Sequence, residues 1–150
     1  NELAWDRYRT RVTLKPGARE LLEHCRRQGI KLGIATSNSR QIVDMVMKER
    51  GIGEYFSCIM TSCEAMKGKP APDIYLLTAE KLQVSPKRCL VFEDIVYGIQ
   101  AGKAAGMEVC AVDDAYSAYQ EAEKRRLADY YIKDFTEIEE IRVIIRENTD

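Results

Sequence analysis

The chain predicts an α/β fold, a Rossmann-like parallel sheet with helices on both faces. Three observations carry this. Short apolar runs alternate with helix-period stretches along most of the 150 residues. Glycines and prolines punctuate the joints between them. The apolar runs finish on polar residues, as strands do when a sheet opens onto a ligand.

Pro16-Gly17 opens a helix with Leu21, Leu22 and Cys25 on one face, stopped at Gln28-Gly29. Residues 30–35 form an apolar strand ending in Thr36-Ser37-Asn38-Ser39. The next helix carries Ile42, Val43, Val46 and Met47 on its inner side and closes near Gly51. A second strand is expected at 56–60, a polar loop at 67–72 and a helix at 73–82. The third strand is 89–92, followed by a small-residue helix over 95–105 and a Gly106 cap. A fourth strand at 109–112, a charged helix at 116–127, a short edge strand at 130–132 and a closing helix at 135–146 complete the order. Residues 1–11 are polar and aromatic with little period. Segment 1–13 is therefore expected to be the end of something upstream, and 14–150 the domain proper.

Lys plus Arg number 23 and Asp plus Glu 24, a net charge of −1, with no polybasic block, so nucleic acid is not expected as a partner. No apolar run is long enough to span a bilayer and no signal peptide opens the chain; no membrane and a cytoplasmic location are expected. Cys25, Cys58, Cys63, Cys89 and Cys110 are odd in number and form no CxxC pair. They are expected to be reduced, buried packing residues.

The strand ends hold the candidate chemistry. Glu93-Asp94 places two carboxylates side by side where a buried strand finishes. Like charges are costly there unless a cation offsets them, which suits Mg²⁺ with its hard oxygen ligands; the plain alternative is that Asp94 caps the following helix. Thr36 with Ser37, Asn38 and Ser39 offers hydroxyls and helix N–H groups that cradle phosphate, or an ordinary helix cap. Lys69 sits in Lys67-Gly68-Lys69-Pro70-Ala71-Pro72-Asp73, where two prolines stiffen the loop and can hold an ammonium against a phosphoryl oxygen. A solvated lysine is the alternative, and Lys67 is taken as that case. Asp113-Asp114 is expected to be a rim turn, His24 a surface or packing residue, and Gly98, Gly102 and Gly106 pure packing.

Taken in order, Thr36, Lys69-Pro70 and Glu93-Asp94 resemble the haloacid dehalogenase superfamily, and within it the β-phosphoglucomutase-like, helical-cap branch. Gly33-Ile34-Ala35-Thr36-Ser37-Asn38 is similar to that family's second motif, Gly68-Lys69-Pro70-Ala71-Pro72-Asp73-Ile74-Tyr75 to its third, and the stretch from Phe92-Glu93-Asp94 to Gly106-Met107 to its fourth. The resemblance runs from about Leu14 to the end of the chain, and it implies that 1–13 is the end of a cap segment and its return linker and 14–150 a partial core domain. It implies Thr36 as the phosphoryl-binding hydroxyl, Ser37 and Asn38 beside it, Lys69 as the charge-neutralising lysine, Asp94 as a direct Mg²⁺ ligand and Glu93 as direct or water-mediated support. It also implies a Mg²⁺-dependent phosphatase or phosphomutase acting on a small phosphorylated metabolite, such as a sugar phosphate, through an aspartyl-phosphate.

Two departures qualify it. Ile95 stands where many relatives carry serine after the Glu-Asp pair. More seriously, the family's first motif, Asp-x-Asp, occurs nowhere in the chain. The nucleophile is then expected upstream, on a strand lying between those that end at Thr36 and Asp94. Without that strand three outcomes are expected: the half-sheets close on each other, a missing N-terminal segment or second chain completes the sheet, or the fold is poorly stable. The competing reading is a catalytically inert fragment or binding module of the same fold. A receiver domain is excluded by the order of Thr, Lys and acidic pair, and dinucleotide binding by the lack of Gly-x-Gly-x-x-Gly after any strand.

Overall fold

Among the described residues, five parallel strands divide into two sheets. In the computed structural model, which describes residues 14–149, β1 (Gly33–Thr36) pairs with β2 (Cys58–Thr61) in a register that sets Thr36 opposite Thr61. In the other sheet β3 (Leu90–Glu93), β4 (Glu108–Val112) and β5 (Tyr130–Ile132) lie side by side in that order, with Glu93 opposite Ala111. The expected edge strand at 130–132 is present. The expectations for 1–13 fall outside the described residues.

Parallel pairing requires a crossover between strands, and helices supply each one. α1 (Ala18–Arg27) precedes β1, α2 (Arg40–Arg50) joins β1 to β2, α3 (Asp73–Leu82) joins β2 to β3, and α4 (Val96–Ala104) joins β3 to β4. A 3₁₀ segment (Ala115–Gln120) and α5 (Glu121–Leu127) lead to β5, and α6 (Ile138–Thr149) closes the chain. Local signals set these bounds. Ser39 caps α2 by accepting from the Ile42 N–H, and Gly51 ends it at φ 64°, a left-handed turn that costs other residues more. α3 starts where Pro72 stops constraining the loop.

β4 is the spine. Val109 and Ala111 face one apolar cluster with Ile74, Ala79, Ile99 and Ala101; Cys110 and Val112 face a second with Leu21, Cys25, Ile132 and Ile141. This alternation buries both faces, which is why the strand is apolar throughout after Glu108. α4 approaches closely because Gly102 has no side chain: a Cβ there would lie 2.7 Å from Val109 Cγ2.

Several boundaries differ from expectation. β1 begins at Gly33 because the Ile30 N–H is used to close α1 on Cys25 O, and the ladder to the neighbouring strand starts only at Ser57 N–H to Leu32 O. The helix expected over 116–127 is a 3₁₀ segment followed by α5, bent at Ser117 (φ −115°, ψ 21°). The last helix starts at Ile138 because Asp134 and Glu137 side chains hold the preceding turn, accepting from the Thr136 and Lys133 N–H groups. On α2 only Val43 is fully buried; Ile42, Val46 and Met47 are half-covered. Cys63 is exposed and Cys89 half-buried, so only Cys25, Cys58 and Cys110 are buried packing residues.

Among the described residues the two sheets do not join into one ladder, so the half-sheets have not closed on each other. β1 pairs on one side only, and its four residues are all half-buried despite their apolar character. β3 is likewise paired on one side. A shared apolar cluster that includes Met60, Val91 and Val109 joins them, and one side chain bridges their edges: Lys69 Nζ donates to Ala35 O on β1 at 3.2 Å and to Glu93 Oε1 on β3.

Candidate active site

The carboxyl ends of β1 and β3 border a single cavity of ≈ 540 Å³. Thr36, Ser37, Asn38, Lys69, Glu93 and Asp94 all line it. Three separate stretches of sequence thus converge, each delivered by the end of a strand or by the loop between β2 and α3.

Thr36 ends β1, and its Oγ1 accepts the Asn38 N–H at 3.1 Å. That turn leaves the hydroxyl proton for a further acceptor. The helix cap is Ser39, so Thr36, Ser37 and Asn38 are not consumed in capping α2. Ser37 and Asn38 are exposed at the rim.

Lys69 follows Gly68 and precedes a cis prolyl bond to Pro70. Its side chain is only 12 % exposed, and its ammonium lies 5.0 Å from the centre of the Tyr75 ring. Lys67, by contrast, is exposed. Glu93 is buried and accepts from both Lys69 and the Tyr75 hydroxyl. Burial, then the charge of Glu93 and the hydrogen bond to it, push the Tyr75 phenol far above its ordinary value, so it stays a donor. Glu93 therefore orients Lys69 first; its carboxylate also lies flush against α4.

Gly98 makes that position possible. A Cβ at residue 98 would fall 2.1 Å from Glu93 Cδ. Gly98 is thus more than helix–sheet packing, and the only sequence clue to this was its place four residues after the acidic pair. Tyr75 was also missed, although it stands within the third-motif stretch.

Asp94 is half-buried. Burial, then Glu93 and Asp114, hold its carboxyl above the usual carboxylate range, and Lys15 offsets this only in part. A carboxylate crowded by other carboxylates at a cavity wall is stabilised by an added cation, so its chemistry fits a hard divalent ion. The cap position of α4 belongs to Ile95 and has no side-chain bond, so Asp94 is not spent as a helix cap. The first N–H of α4 finds an acceptor elsewhere: Gln120 Oε1 accepts the Val96 N–H at 3.2 Å. Among the described residues no group of three or more His, Cys, Asp or Glu could hold a metal. Asp94 would be one ligand of an open site.

Asp113 and Asp114 form the rim turn expected of them. Asp114 accepts from Lys15 Nζ at 2.6 Å and caps the 3₁₀ segment through the Tyr116 N–H. Asp113 accepts from the Tyr131 hydroxyl. Lys15 and Phe135 also line the cavity, and neither was singled out from the sequence. No helix among the described residues is long and apolar enough to cross a membrane.

The chain is 45 % identical over 98 residues to the bifunctional riboflavin kinase/FMN phosphatase of Arabidopsis thaliana, matching 65 % of this chain and 26 % of that protein. It is 39 % identical over 93 residues to the phosphorylated carbohydrates phosphatase of Thermotoga maritima, with 62 % and 43 % covered. The β-phosphoglucomutase structure from Clostridium difficile superposes with a TM-score of 0.76 at 27 % identity, over 89 % of this chain and 56 % of that one. The chain thus spans about a quarter to just over half the length of these relatives. The model of the haloacid dehalogenase-like hydrolases matches residues 4–106, and the chain belongs to that family.

Proposed function

We infer that the protein containing this chain is a Mg²⁺-dependent phosphatase or phosphotransferase acting on a small phosphate monoester, such as a sugar phosphate. The observation that carries this is the convergence of Thr36, Lys69 and Asp94 on one cavity. Asp94 would hold Mg²⁺, with water and other ligands completing the shell; when bound, the ion neutralises charge on the phosphoryl group. The Thr36 hydroxyl and the Asn38 and Ser37 rim donate to phosphoryl oxygens. Lys69 also neutralises phosphoryl charge, held in place by Glu93 and Tyr75. Such catalysis is mostly positioning and charge stabilisation. The relatives named above, a phosphatase of phosphorylated carbohydrates, an FMN phosphatase and a phosphoglucomutase, support the substrate class.

The nucleophile is an aspartate supplied from outside these 150 residues, which contain no Asp-x-Asp. The cavity between β1 and β3 receives the strand that carries it, from an N-terminal segment or a second chain, and the unpaired strand edges favour such an addition. These residues alone therefore do not turn over substrate, and the reading of an inert fragment applies to them in isolation.

The test is release of phosphate from p-nitrophenyl phosphate and from a panel of sugar phosphates by the whole protein. Turnover that needs Mg²⁺, stops with chelator and falls at least about 100-fold in Asp94→Asn is expected. Turnover that ignores both chelator and Asp94→Asn overturns the proposal.

A further inference from the structure

The buried face of the 3₁₀ segment touches the Asp94 loop at two points, and neither contact was visible in the sequence. Ser117 Oγ donates to Asp94 O at 2.6 Å. Two residues beyond Asp94, the Val96 N–H is accepted by Gln120 Oε1 at 3.2 Å. The two contacts bracket the Asp94–Ile95 peptide, so they fix the backbone from which the Asp94 carboxylate projects.

A buried cation sets the direction of the first contact. Lys124 is the largest fully buried side chain in the described molecule, 0 % exposed, and its Nζ donates to Val112 O at 2.8 Å and to Ser117 Oγ at 3.1 Å. An ammonium can only donate. Ser117 Oγ must therefore accept from Lys124, which leaves its own single proton for Asp94 O. Burying an ammonium against a carbonyl and a hydroxyl is costly. Here the cost falls beside the loop that carries Asp94, and the bend at Ser117 is the local shape that lets its hydroxyl reach both partners. The second contact satisfies the first N–H of α4, next to Ile95, which makes no side-chain cap bond.

We propose that Ser117 and Gln120 are positioning residues for the metal ligand, with Lys124 acting on Asp94 through Ser117. This rests on the reading of Asp94 as a Mg²⁺ ligand. Outer partners that orient a ligating group change metal affinity by about 10–100-fold when removed.

The experiment is calorimetric titration of Mg²⁺ into the whole, metal-free protein, alongside its thermal unfolding without metal. Ser117→Ala, Gln120→Leu, Lys124→Met and the double variant Ser117→Ala/Lys124→Met are compared with native protein and with Asp94→Asn. Ser117→Ala is expected to weaken Mg²⁺ binding about 10-fold or more, and Gln120→Leu to act in the same direction. Because Lys124 works through Ser117, the double variant is expected to bind no more weakly than Ser117→Ala alone. If Lys124→Met does not fold, Ser117→Ala and Gln120→Leu still decide. Folded Ser117→Ala and Gln120→Leu proteins that bind Mg²⁺ within twofold of native overturn the proposal while the metal reading stands. No Mg²⁺ binding by native protein overturns both.

Discussion

Lys69 Nζ lies 2.5 Å from Glu93 Oε1 and 3.2 Å from Ala35 O, so one side chain ties the edge of the β1–β2 sheet to the edge of the β3–β4–β5 sheet. The same ammonium that faces the cavity is thus a structural bridge. Glu93 is 8 % exposed and cannot turn to water if that bridge is lost.

Lys69→Met therefore has two effects. It leaves a buried carboxylate with the Tyr75 hydroxyl as its remaining contact of the two, which costs about 3–5 kcal/mol for breaking a buried pair. On the proposed function it also lowers turnover of the whole protein about 10²–10³-fold. Urea unfolding and kcat measured on the same preparation separate the two; unchanged stability contradicts the bridge.

Gly98→Ala overpacks the Glu93 contact. The new methyl would sit on the carboxylate, so the variant is expected to lose about 1–3 kcal/mol. Because Glu93 orients Lys69, turnover falls as well, whereas Gly53→Ala, where a Cβ would meet only Met47 Cβ at 3.5 Å, leaves turnover unchanged. Equal activity in both variants contradicts a fixed Glu93.

Much of this site was legible in the sequence, for physical reasons. Thr36 and Asp94 each follow an apolar run, and such runs end where a parallel sheet opens. Lys69 is followed by Pro70 and Pro72, which leave its loop few shapes to adopt. What escaped was contact across distance in the chain. Glu121–Leu127 is charged enough to suggest a solvated helix, yet Lys124 lies fully inside, and nothing local to it announces that Ser117, seven residues earlier, needs a donor. Ser117 in turn meets Asp94 across 23 positions. The lack of an Asp-x-Asp raised the expectation of unpaired inner edges, and among the described residues β1 and β3 are each paired on one side only.

The Lys15–Asp114 pair has a pH signature. Although burial works to raise it, the hydrogen bond from Lys15, together with the Tyr116 N–H, holds the Asp114 carboxyl below its ordinary 3.8. Folded Asp114 thus binds its proton more weakly than the unfolded chain. Its stabilisation is complete above the unfolded value and disappears as pH falls through the lower folded value. Lys15→Met is expected to raise the Asp114 midpoint in an NMR titration and to move acid unfolding to higher pH. An unmoved midpoint contradicts the pairing.

The thiols should sort by burial. Desolvation pushes Cys25 up to about 11 and Cys110 to about 12, so neither offers thiolate near neutral pH. Cys63 is exposed. Mass spectrometry after brief iodoacetamide treatment at pH 8 is expected to find Cys63 modified first, with Cys25 and Cys110 protected until unfolding. Early labelling of Cys110 contradicts the buried spine.

The whole account turns on three groups, Thr36 and Asp94 at strand ends and Lys69 on a loop, meeting at one phosphorus. Binding of inorganic phosphate to the whole protein in the presence of Mg²⁺, compared among native, Thr36→Ala, Lys69→Met and Asp94→Asn, tests that meeting most directly. Each substitution alone is expected to weaken phosphate binding about 10-fold or more, since Thr36→Ala and Lys69→Met each remove a donor to the anion and Asp94→Asn weakens the hold on the Mg²⁺ that pairs with it. Folded variants that all bind phosphate as native does would contradict it.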